Sequence, residues 1–106
     1  MFARNAIFHW SGEGTLAGLH LGSSEAASVA ATIAQSVQPG SIQVEELAGA
    51  DENLDVVARV TLQNPASPGP TMQTLIHGVF RFDETGRIAL LYLTPYDIDA
   101  VRDFIP

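Results

Sequence analysis

Ile76-His77-Gly78-Val79-Phe80-Arg81-Phe82-Asp83-Glu84-Thr85-Gly86-Arg87-Ile88 is two apolar runs joined by an acidic turn that ends on a glycine. Strand-favouring residues on both sides of that turn predict a β-hairpin. Working outward, Met72 to Phe82 is its first arm and Arg87 to Thr94 its second. Both arms are apolar on both faces. One face is expected to meet the rest of this chain, and the other to be covered as well, which predicts a second subunit.

The segments upstream fit around this hairpin. Asn64-Pro65-Ala66-Ser67-Pro68-Gly69-Pro70 reads as a loop, because proline has no N–H to give a central strand. Before it, Ser41 to Ala48 and Leu54 to Gln63 read as strands joined by the turn Asp51-Glu52-Asn53, with Ile42 and Val44 on one face of the first and Gln43 and Glu45 on the other. Ala26, Val29, Ala30, Ile33, Ala34 and Val37 recur at i, i+3, i+4, i+7, i+8 and i+11, the stripe of a one-sided helix. Ser23 is its expected N-cap, Glu25 suits its positive end, and Pro39-Gly40 follows its end. Ala6 to Trp10 predicts a first strand, Ser11 to Gly14 a turn and Leu16 to Leu21 a short extended connection. Asp97 caps a short final helix carrying Ile98, Val101 and Ile105. The expectation is a single α+β domain over residues 1–106, a curved antiparallel sheet wrapped on one long helix.

Composition narrows the partners. Charged residues are 16% against an apolar 46%, so a monomer has little polar surface with which to cover itself, and self-association is expected. The net charge is −7, and all five basic residues are arginines scattered along the chain. Neither phosphate backbones nor anionic membrane surfaces should attract such a chain, so no nucleic-acid or membrane partner is expected. Met1 to Asn5 lacks the basic start and apolar core of a signal peptide, and no run approaches the ~20 apolar residues of a membrane span. The absence of cysteine suits a reducing, cytoplasmic setting and removes disulfides and thiolate metal sites.

Three stretches, Met1 to Ala6, Gly18-Leu19-His20-Leu21-Gly22 and Phe80 to Ile88, together with the order of elements, resemble the nuclear transport factor 2-like (NTF2-like) superfamily. The nearest members in character are the SnoaL-like polyketide cyclases and the ketosteroid isomerases. The resemblance spans nearly the whole chain and implies a cystatin-like cone, a bent sheet around an apolar pocket. Family members usually begin with further helices ahead of the position matching Met1, so the resemblance implies an N-terminally truncated cone. Its pocket is then open, closed by a second copy, or closed by the segment from Asp97 folding back.

The same resemblance shows which chemistry is missing. In ketosteroid isomerases a carboxylate on the first strand is the general base, and Trp10 stands there. A second, protonated carboxylate matches Gly78. An indole cannot carry a proton at neutral pH, and glycine has no group to donate, so no catalytic residue is assigned. The implied inward face comprises Phe8, Trp10, Val56, Ala58, Val60, Thr74, Ile76, Gly78, Phe80, Leu91 and Leu93, with Thr74 and the Trp10 indole as its polar handles. His9, Val57, Arg59, His77, Val79, Arg81, Leu90 and Tyr92 fall on the outer face.

Other candidates read more simply. His77 and His9 point outward by parity and read as surface or interface histidines rather than catalytic ones. His20 falls in a connection with no assignable role. No His-x-x-x-His or comparable ligand spacing occurs, so neither metal nor cofactor is expected. Gly12-Glu13-Gly14 and Gly18 fail as a dinucleotide fingerprint, because no parallel βαβ unit surrounds them. The aromatic cluster Phe8, Trp10 and Phe80 is either plain core or the wall of a ligand site. The resulting expectation is a homodimer joined through the outer sheet face, which holds a small apolar ligand among Phe8, Trp10, Ala58, Thr74, Ile76, Gly78, Phe80 and Leu91 without catalysis. The alternative is a cyclase, isomerase or hydrolase acting on a small hydrophobic substrate with non-standard residues.

Overall fold

The elements run β1 (Phe2–Trp10), β2 (Gly18–Leu21), α1 (Ser23–Gln35), β3 (Gln43–Ala50), β4 (Asn53–Leu62), β5 (Met72–Phe82), β6 (Ile88–Pro95) and α2 (Ile98–Val101) in a computed structural model that describes residues 1–67 and 69–106. Pro68 of the proline-rich loop lies outside the described residues. The hairpin that anchors the reading is β5–β6, and its turn has a visible cause. Asp83 Oδ1 accepts from the Thr85 amide, the Thr85 hydroxyl and the Arg87 amide at 2.7–3.0 Å. Gly86 completes the reversal at φ 82°, where a side chain would be strained.

One six-stranded sheet has the order β2-β1-β6-β5-β4-β3. Four of its pairings are antiparallel, as expected, but β1 runs parallel to β6, with Phe8 beside Leu91 and Trp10 beside Leu93. A parallel pair needs a long crossover, and everything between the two strands supplies it. The extended connection before the helix is itself a strand, β2, antiparallel to β1.

The start of α1 differs from expectation. Gly22, not Ser23, is the cap, and no side chain caps the first turn. Gly22 adopts φ 92°, donates its N–H to Ala6 O and accepts from the Ala26 N–H. The chain thus passes from β2 into the helix with no spacer in which a serine could act as a cap.

Apolar residues of β1 (Ala6, Phe8, Trp10), α1 (Ala26, Val29, Ile33), β4 (Val60, Leu62), β5 and β6 (Ile76, Leu91) and the C-terminal segment (Val101, Ile105) form the core. The larger of these contribute about 1.5–3 kcal/mol each by leaving water. The C-terminal segment does fold back. Asp97 Oδ1 accepts from the Ala100 N–H, Ser36 donates its hydroxyl to Phe104 O at 2.8 Å, and Leu16 donates to Pro106 O. This closes the sheet end that carries the loop after β1. At the opposite edge all eight residues of β3 are exposed. No helix among the described residues is long and apolar enough to cross a membrane.

His20 joins β2 to the first turn of α1. Its Nε2 lies 2.7 Å from Leu16 O and its Nδ1 3.0 Å from Glu25 Oε1. Both partners only accept, so the doubly protonated imidazolium satisfies both and the neutral ring only one. The Leu16 carbonyl first, and Glu25 second, raise the His20 pKa above its ordinary 6.5, against an opposing push from burial. With the folded value raised, the stabilisation is fully present below the unfolded value and is lost as pH rises through the folded one. The stability gap between the wild type and His20→Gln, followed by thermal melting, should therefore shrink from about pH 5.5 to about pH 9. A gap that is flat or widens with pH would show that the clamp does not act through the charged ring.

Candidate functional site

The inner face of the sheet and α1 enclose a cavity of about 380 Å³. Its floor is Phe8 of β1, Ile76 and Gly78 of β5 and Leu91 and Leu93 of β6. β4 contributes Leu54, Val56, Ala58 and Val60, every second residue, as a pleated strand must. Ala30, Ile33 and Ala34 of α1, with Val37 just beyond its end, form the roof, Phe80 and Phe82 stack at one end with centroids 6.2 Å apart, and Ile42 and Val44 form the lip. Those two lip residues are 63% and 58% exposed, so the cavity opens between α1 and β3. Every described lining side chain is apolar.

Gly78 has a particular job on that floor. A Cβ there would sit 2.9 Å from Phe80 Cε1 and 3.3 Å from Leu93 Cδ2, so any side chain would have to displace Phe80. Glycine in a strand interior costs stability, and here its return is space.

Six of the eight residues expected at a ligand site line this cavity: Phe8, Ala58, Ile76, Gly78, Phe80 and Leu91. Trp10 and Thr74 do not. Trp10 is 1% exposed and packed under Gly12, where a Cβ would lie 2.4 Å from the indole, and its Nε1 has no hydrogen-bond partner among the described residues. Thr74 pairs with Val60, which lines the cavity, but is not itself among the lining residues. Neither polar handle therefore reaches the cavity.

The outer face carries different chemistry. Register places Leu90 beside Arg81, Val79 between Tyr92 and Asp55, and His77 between Thr94 and Val57. His9 Nδ1 shares a 3.0 Å hydrogen bond with Ser11 Oγ, and its ring lies 5.1 Å from that of Tyr92. Arg59 pairs with Glu45 at 2.6 Å. Among the described residues no cluster of three metal-ligating side chains forms.

The fold recurs in solved structures. A candidate isomerase from Rhodopseudomonas palustris superposes with a TM-score of 0.82 at 17% identity, over 95% of this chain and 76% of its own. An NTF2-like protein of unknown function from Burkholderia pseudomallei gives 0.76 at 16% identity, over 98% and 79%. A candidate SnoaL-like polyketide cyclase from Jannaschia gives 0.74 at 16% identity, over 98% and 72%. The fold is the NTF2-like cone. No protein-family model matches the sequence, and no curated protein does. At such identities the likeness establishes the architecture, and the chemistry of this NTF2-like cone has to come from its own residues. Of the inward face implied by the resemblance, Phe8, Val56, Ala58, Val60, Ile76, Gly78, Phe80, Leu91 and Leu93 line the cone. The sequence had not shown the role of His20, whose partner lies five residues on, across a strand-to-helix turn.

Proposed function

We propose that the protein is a cytoplasmic, self-associating NTF2-like module that holds a small apolar ligand in the cone without transforming it. The observation that supports this most is the cavity of about 380 Å³ with its wholly apolar described wall, within the size range of small-molecule sites. Saturable binding of N-phenylnaphthylamine, which brightens on leaving water, tests it. Burying roughly 250 Å² of the probe at about 25 cal/mol per Å² supplies about 6 kcal/mol, less the cost of immobilising it, so micromolar to millimolar affinity is expected. A titration with no saturable signal would rule the reading out. Trp10 emission is the wrong readout, since the indole lies outside the wall.

The second reading, an enzyme acting on a small hydrophobic substrate, draws on the neighbours described as a candidate isomerase and a candidate polyketide cyclase. Against it, no titratable side chain is found among the cavity's described residues, with Trp10 and Gly78 where the isomerases carry carboxylates. Isomerisation of a ketosteroid above background, lost on a single substitution in the cone, would favour this reading instead.

A further inference from the structure

We propose that the cavity discriminates by charge, accepting uncharged hydrocarbon-rich molecules and rejecting anionic ones of the same shape. This rests on the binding reading above and adds the class of ligand. The rings of Phe8 and Phe80 would meet the hydrocarbon, and the polar end would face the lip at Ile42 and Val44.

Three observations support the selectivity. First, an anionic head drawn into the cavity would find no side-chain donor, because every described wall side chain is apolar. Second, the roof is the C-terminal half of α1. That end carries the negative side of the helix dipole, its last turn holds no basic residue, and Ala34 and Val37 border the cavity. Third, at the far end Leu54 and Phe82 sit between two acidic turns, Asp51-Glu52 and Asp83-Glu84, with the Phe82 N–H bonded to Glu52 O at 2.9 Å.

The cations that could offset this field lie elsewhere. The chain has no lysine. Arg59 is held by Glu45, and Arg102 by Glu13 and Asp99. Register puts Arg81 on the outer face, Arg87 belongs to the Asp83 turn, Arg4 of β1 is exposed, and no arginine is among the described lining. The wall offers no carboxylate to a cationic head either, which leaves the uncharged class as the best match.

The test is a matched pair, N-phenylnaphthylamine and its sulfonated counterpart anilinonaphthalene sulfonate, titrated into the intact protein at about pH 8. The neutral probe should bind at least about tenfold more tightly, with the difference narrowing as salt screens the field. In Val44→Lys, which places a cation at an exposed lip position, the neutral-to-anionic affinity ratio should fall at least about fivefold. Equal affinity for the two probes, or a ratio unmoved by Val44→Lys, would overturn the charge selectivity while leaving the ligand site in place. If neither probe binds, the binding reading itself fails, and this inference falls with it.

Discussion

Gly78→Leu should abolish probe binding while leaving a folded protein. The new side chain projects inward, where even a Cβ would lie 2.9 Å from Phe80 Cε1. Its four carbons occupy on the order of 100 Å³, taking roughly 30 Å³ for each water-sized group, a substantial part of the 380 Å³ available. Overfilling a packed site costs about 1–3 kcal/mol, but this one is partly empty and opens at the lip, so the lower end applies. At about 4–8 °C per kcal/mol for a domain of this size, the melting temperature should drop by roughly 10 °C or less. Affinity for N-phenylnaphthylamine should drop at least about tenfold. Ala58→Leu, one strand away, should act the same way and separates a filled cavity from a local fault at Gly78. A folded variant with undiminished affinity would place the probe somewhere else.

Val79→Asp should convert a dimer to monomer. Leu90, Val79, Tyr92 and Val57 lie on the outer sheet face of a chain with little charge to cover it, which is the ground for expecting self-association there. Sedimentation equilibrium of the wild type at micromolar concentration should give twice the 11.3 kDa chain mass. An unpaired carboxylate buried at such an interface costs several kcal/mol, order of magnitude, enough to weaken association a thousandfold or more. Register sharpens the expectation. Val79 sits opposite Asp55, so a new aspartate there also meets a like charge, whereas Leu90 sits opposite Arg81, which would partly compensate Leu90→Asp. Val79→Asp should thus dissociate the assembly more completely than Leu90→Asp. A monomeric wild type, or the reverse order of the two variants, would contradict the outer-face interface.

How far the fold was legible depended on whether its causes were local. β5 appears with the expected bounds because a proline-rich loop precedes it and Asp83 terminates it. The α1 stripe placed its own inward residues, and the resemblance set those of β4 and β5, where a period of two leaves no freedom once one face is buried. What was missed depended on how the chain packs in three dimensions rather than on local pattern. The parallel β1–β6 pairing joins residues 2–10 to residues 88–93 and leaves no local mark. Trp10 has inward parity, yet the loop at Gly12 folds over it and takes it out of the cavity wall. Thr74 has the right parity too, but only its partner across the strands, Val60, lines the cavity.

That parallel pairing has a consequence for how the molecule is born. β1, β2 and α1 form one locally connected unit, and β3 to β6 form a meander whose neighbours in sequence are neighbours in space. The seam between the two units joins residues 2–10 to residues 88–93. On the ribosome the first unit must therefore wait for its partner strand until residues 88–93 have been made. The cone's floor is incomplete before β6 emerges, since Phe8 gains Leu91 as its neighbour only then.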